Sequence, residues 1–330
     1  MKKIKKLHIL AVLSIAALAA VSLGLMYQLG YNNAMRASAN NNEIFIMTDS
    51  AVPLAAVVPN RTNVLVNEAS GRNVNRNAKS EIDFSNASDG YVMARWLDTT
   101  ATDVRVVIVG PNGVQYQYRL NNAGRWESFP LSGGNGRYVV RVLEAVGGGR
   151  FAVANTVNID LTLTNEFAPF LRPNQFVNFD ARSTVVALAA ELVFDSNNVL
   201  ESVQSVYNWV VENITYDTEL ARTVQSGYVP DLERVLEIRR GICFDYASLM
   251  TAMLRSQGIP TRLVIGYVGD VRHAWISVYS EGSGWINNVI QFNGNTWRIM
   301  DPTFSSTGNQ SEEVRNFVGT GANHKQTHVH

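Results

Sequence analysis

Gly241-Ile242-Cys243-Phe244-Asp245-Tyr246-Ala247-Ser248-Leu249-Met250-Thr251-Ala252-Met253-Leu254 is the stretch on which the reading of the fold turns. Leu249, Met250, Met253 and Leu254 recur at the spacing of one helical face, and Gly258 with Pro260 stops that helix near Gln257. Upstream, Asp231 can cap a helix running to Arg240, with Gly241 expected as the glycine that ends it. Cys243 therefore opens a new helix. A thiol there meets backbone N–H groups without intrahelical partners and the positive end of the peptide dipole, both of which favour thiolate. The same N–H groups can donate to an oxyanion, so one backbone feature serves activation and charge stabilisation.

Working outward, strands are expected over residues 262–268, 274–279, 285–292 and 296–300, with Asn293-Gly294-Asn295 turning the last pair. Helical periodicity marks residues 184–193 and 200–211, where Val203, Val206, Tyr207 and Val210 share a face. Earlier still the period changes to two, in runs at 91–97, 104–109, 114–120, 138–143 and 151–163. Val114, Tyr116, Tyr118 and Leu120 fall on one face, and Pro111-Asn112-Gly113 and Gly134-Asn135-Gly136 supply turn chemistry. Gly147-Gly148-Gly149 reads as a hairpin turn, since it lacks the Lys-Ser/Thr pair and the helix of a phosphate loop. The result is an all-β sandwich over residues 90–165 followed by an α+β unit over 175–330, helices packed on an antiparallel sheet.

Residues 31–89, rich in Asn, Ser and Ala, read as a partly disordered linker with one or two strands. Met1-Lys2-Lys3-Ile4-Lys5-Lys6 and the apolar run at 9–26 make residues 1–30 a signal peptide or membrane anchor. Its lysines stay cytoplasmic, so the remainder is expected outside, membrane-anchored or released by cleavage near Ala37-Ser38-Ala39. The 28 basic residues balance 28 acidic ones, which removes the attraction a nucleic-acid partner would need.

One cysteine in an exported chain leaves no intramolecular disulfide and a free thiol to explain. His273 is the only one of five histidines in the body of the chain, at a strand entrance, suited to act as base and then acid. Asp301, before Pro302, ends the neighbouring hairpin strand and can hold the imidazole tautomer. His324, His328 and His330 have a spacing that permits a metal, yet without an acidic or Cys partner they read as a flexible or edge-strand tail, and no metal is expected. Asp245 is expected to serve the helix start, Tyr246 and Trp275 to pack beside the site, and Arg239, Arg240 and Arg255 to be solvated.

Gly241-Ile242-Cys243-Phe244-Asp245-Tyr246-Ala247, His273-Ala274-Trp275 and Asp301-Pro302-Thr303-Phe304 together resemble the bacterial transglutaminase-like family, over about residues 200–305. The resemblance implies a papain-like α+β core without cofactor and a catalytic triad of Cys243, His273 and Asp301. Asn213-Ile214-Thr215-Tyr216-Asp217 matches a family stretch in which an aromatic residue, here Tyr216, supports the oxyanion site. The function it implies is thiol-dependent acyl transfer on an extracytoplasmic protein, peptide or cell-wall peptide: a peptidase or amidase ahead of a cross-linking transglutaminase. The alternative is a cell-surface binding or scaffold module on a catalytically silent fold, because fold does not choose the reaction.

Overall fold

The computed structural model describes residues 64–98, 101, 103–286, 290–292, 297–299 and 324–330. The signal or anchor expected over 1–30 lies outside them, and among the described residues no helix is long and apolar enough to cross a membrane.

Two-residue alternation builds the first unit. Strands β1 (Val74–Arg76), β2 (Ser80–Asp83), β3 (Tyr91–Trp96) and β6 (Glu127–Pro130) form one antiparallel sheet in that order. The second, also antiparallel, runs β5 (Gln115–Leu120), β4 (Val104–Val109), β7 (Gly136–Gly147), β8 (Arg150–Leu161). The inward residues of both, among them Trp96 and Phe129 from one and Ile108, Tyr118 and Tyr138 from the other, bury a single core. Gly113 and Gly134 sit at φ 76° and 81°, conformations their turns could not give a bulkier residue cheaply. Two of these strands, β1 and β2, lie inside the stretch read as linker. Strand β6 escaped the sequence reading because Glu127-Ser128-Phe129-Pro130 offers a single apolar residue and no alternation.

The second unit starts with helices α1 (Thr184–Leu192), α2 (Val199–Asn213) and α3 (Thr218–Thr223). The two-residue strand β9 (Thr215–Tyr216) between α2 and α3 pairs in parallel with β10 (Arg240–Gly241), which follows α4 (Leu232–Ile238). Helix α5 (Cys243–Ser256) comes next, and every residue from Asp245 to Ser256 is buried. It lies against the antiparallel sheet β13 (Gly284–Ile286), β12 (Val271–Ser280), β11 (Thr261–Val268), β16 (His324–Val329). Leu249 and Met253 meet Leu263, Ile265, Ala274, Ile276 and Val278 in one core. Of the run expected as one strand over 285–292, the described residues lie in β13 and in β14 (Ile290–Phe292), which pairs with β15 (Trp297–Ile299) in a two-stranded sheet.

Arg255 corrects the sequence reading. Expected in solvent, it is 2 % exposed and spends its guanidinium on three carbonyl oxygens: Nε on Thr261 (2.8 Å), Nη1 on Arg172 (2.8 Å) and Nη2 on His330 (2.6 Å). Burial lowers its pKa to about 9, so it remains cationic at neutral pH. The His330 ring, also buried, meets the Tyr118 hydroxyl of the sandwich through Nδ1 at 2.9 Å, and Ser132 donates to the Val329 carbonyl at 2.6 Å. The two units are thus joined through β16 and the end of α5.

Candidate active site

Cys243 is the first residue of α5 and half-buried. The elbow that presents it is built from β10 and Ile242, whose backbone is extended at φ −99°, ψ 177°. Asp217 N–H donates to Gly241 C=O and Thr215 N–H to Arg239 C=O, both at 2.8 Å, which ties the elbow to β9. Ile242 has no side-chain acceptor, so no residue caps the first turn from the N-cap position.

The left-handed residue after α4 is Arg239 at φ 55°, not Gly241 as expected. Gly241 is required for a different reason, space: a Cβ there would stand 2.6 Å from the Cβ of Asp245. Asp245 is fully buried, accepting from Ile242 N–H at 2.8 Å through one oxygen and from the Tyr228 hydroxyl at 2.8 Å through the other. This is the returning half of a capping box, the carboxylate of the third helical residue satisfying the N-cap amide. Burial raises the Asp245 pKa against the lowering by those two donors, and burial with the adjacent carboxylate pushes Tyr228 well up. Tyr228 was invisible in the sequence, where nothing local links it to a residue 17 positions on.

His273 lies on β12 opposite Gly266, 7 % exposed, its ring stacked at 6.4 Å from Trp275. Helix α5 packs on that same strand. Alternation turns Ala274 and Ile276 into the α5 core and sets His273 on the face of Trp275 and Val264. From Val271 to Ser277, β12 has no described strand on its outer side. Gly266 admits this packing, since a Cβ would stand 2.6 Å from the Trp275 ring and 2.2 Å from the Lys325 carbonyl. Asp301, the expected orienting carboxylate, lies outside the described residues.

Tyr216 pairs with Gly241 across β9 and β10, two residues before Cys243, and its ring is 6.4 Å from that of Tyr246. Tyr246 is fully buried and donates to the Ile214 carbonyl; Phe244 packs edge-on against Phe176 at 5.2 Å. The terminal histidines have other partners: His328 Nε2 meets the Gln115 carbonyl at 3.2 Å, and His330 meets Tyr118. Among the described residues no group of three His, Cys, Asp or Glu is arranged to hold a metal.

The family model of the transglutaminase-like superfamily matches residues 186–288, which include Cys243 and His273. The uncharacterised protein YebA of Bacillus subtilis is 30% identical over 123 residues, 31% of this chain and 16% of that one. The uncharacterised Mycobacterium leprae protein ML0607 is 26% identical over 171 residues, 51% of this chain and 55% of that one, so the chain spans about a sixth and about half of these relatives. Among solved structures, a candidate cysteine protease from Cytophaga hutchinsonii aligns over 78% of this chain and 73% of its own at TM-score 0.36 and 17% identity. Red sea bream transglutaminase aligns over 71% and 49% at TM-score 0.29 and 13% identity, and no site residue is carried over from either. The match takes in residues 186–288, a helix and antiparallel sheet carrying the Cys and His motifs, and it is over this region that the chain is similar to the transglutaminase-like superfamily.

Proposed function

We propose that the chain is a thiol-dependent acyl-transfer enzyme acting on amide bonds of proteins or peptides, with Cys243 as nucleophile, His273 as general base and acid, and Asp301 as the group that orients His273. The observation that carries this reading is the position of the chain's single cysteine, on the first turn of a buried helix whose N-cap residue is apolar. The Cys243 thiolate attacks the carbonyl carbon, and the resulting oxyanion is stabilised by the first-turn N–H groups. The imidazolium of His273 gives its proton to the leaving amine as the C–N bond breaks, leaving a thioester. Water, deprotonated by His273, then releases the acid and regenerates the thiol; a primary amine in its place gives a new amide. Hydrolysis is favoured because water is the default acceptor. Tyr216, beside the elbow, supports the oxyanion position in this scheme. The reaction takes place outside the cytoplasm, on substrates reached by a chain exported through its N-terminal segment, which stays on the membrane or is removed.

The test compares the full chain with its Cys243→Ala variant on a peptide library, with and without a primary amine, read by mass spectrometry. Cleaved or deamidated peptides in the wild type alone support a hydrolase, and added amine mass a transamidase. Identical spectra, with Cys243 unreactive to iodoacetamide at mildly acidic pH, would exclude the enzyme and leave a binding module.

A further inference from the structure

A cleft of about 890 Å³ runs between the sandwich and the helical side of the second unit, within the size range of ligand sites. Its sandwich wall carries Arg119, Arg125 and Trp126; the opposite wall carries Asp180, Asp231 and Glu233; the connecting segment from Pro173 to Gln175 forms the floor. The cleft reaches Val229 and Pro230, directly after Tyr228, whose hydroxyl bonds Asp245 two residues beyond Cys243.

Three features mark it as built to hold something. Trp126 has one face covered by the Arg95 guanidinium at 4.5 Å and is only partly buried, which leaves an aromatic platform at the cleft. Arg119 and Arg125 are exposed and take part in no ion pair among the described residues, whereas the acids opposite are engaged: Asp231 caps α4 and Asp180 faces Arg182 at 3.6 Å. The floor is polar, with the carboxamides of Asn67 and Gln175 on it, their nitrogens donating to Ser128 Oγ and the Pro173 carbonyl and to the Arg119 carbonyl and Glu127 Oε1.

We propose that this cleft holds an extended polypeptide segment of the substrate, so that the sandwich positions the chain whose amide reaches Cys243. The inference rests on the acyl-transfer reading for its direction towards the thiol. A peptide backbone supplies both N–H and C=O groups to complement the floor, its side chains alternate between the two walls, and an acidic side chain meets Arg119 or Arg125 while an apolar one lies on Trp126.

Binding is measured with the full-length Cys243→Ala chain in detergent micelles, which removes turnover, using fluorescently labelled, reduced and carboxymethylated casein as the polypeptide probe. Arg125 is exposed, so Arg125→Ala leaves folding intact; it is expected to weaken binding several-fold at low salt, and Trp126→Ala by about ten-fold. Arg76→Ala, on the exposed outer strand of the sandwich, leaves the Kd unchanged. Equal Kd values in all variants overturn the proposal, as does displacement of casein by chitin oligosaccharide at comparable concentration, which assigns the cleft to a glycan. Cleft-dependent binding combined with no peptide turnover by the wild type keeps the cleft and removes the acyl-transfer reading. Turnover of peptides by the wild type with a KM insensitive to Arg125 and Trp126 does the reverse.

Discussion

Around Cys243 the decisive residues are those that hold its elbow. Gly241 leaves no room for a methyl group beside Asp245, so Gly241→Ala should cost about 1–3 kcal/mol by forced repacking, seen as a lower urea midpoint with unchanged slope. Tyr228→Phe removes one of two donors to a fully buried carboxylate; a hydrogen bond to a charged group is worth about 1.5–3 kcal/mol, and thermal unfolding should register a loss of that size. Cys243→Ala, by contrast, removes no bond that supports the elbow and should leave stability within about 1 kcal/mol while abolishing peptide turnover. The placement of Cys243 at a helix start, and the service of Asp245 to that start, are legible from residue type and position. Tyr228 is not, because its partner lies in another segment and only folding brings the two together.

Elements were legible where periodicity or punctuation was strong. Asp231 reads as a helix cap and accepts from Arg234 N–H at 3.1 Å, so Asp231→Ala should destabilise α4 by about 1 kcal/mol in chemical denaturation. The end of α4 departs from expectation because glycine is the usual left-handed residue, whereas here Arg239 takes φ 55° with its guanidinium over Trp209 at 4.6 Å. Helix α5 was recognised from its apolar spacing, yet that spacing shows one apolar face. Its burial on all sides comes from the sheet beneath and α1, α2 and α4 around it.

Across the whole molecule, Arg255 and His330 connect what the chain order separates. The guanidinium forms no ion pair with a carboxylate among the described residues and relies on three carbonyl oxygens from different segments. Arg255→Lys lacks the planar fork and should fail to restore what Arg255→Leu loses, both unfolding at lower denaturant, with the His330 to Tyr118 contact loosened. His330 has its pKa lowered to about 3, burial being the main cause and the charges of His328, Arg255 and Arg272 adding to it. The folded ring stays neutral while the unfolded one protonates near pH 6.5, so this contribution is complete above that pH and declines as pH falls towards about 3. A series of urea midpoints from pH 7 to 4 should fall for the wild type and less steeply for His330→Gln.

The sequence by itself determined the α+β class, the sandwich ahead of it, and the Cys and His motifs, because periodicity, turn residues and helix ends act over a few residues. Only the tertiary structure decided which polar groups are buried and what satisfies them. Arg255 reads as a solvated helix residue and Tyr228 as an ordinary loop tyrosine until the carbonyls and the carboxylate that receive their protons arrive from distant segments. The cleft between the units belongs to the same class, since each wall is unremarkable alone and its shape exists only once β16 and the end of α5 join the sandwich to the helices.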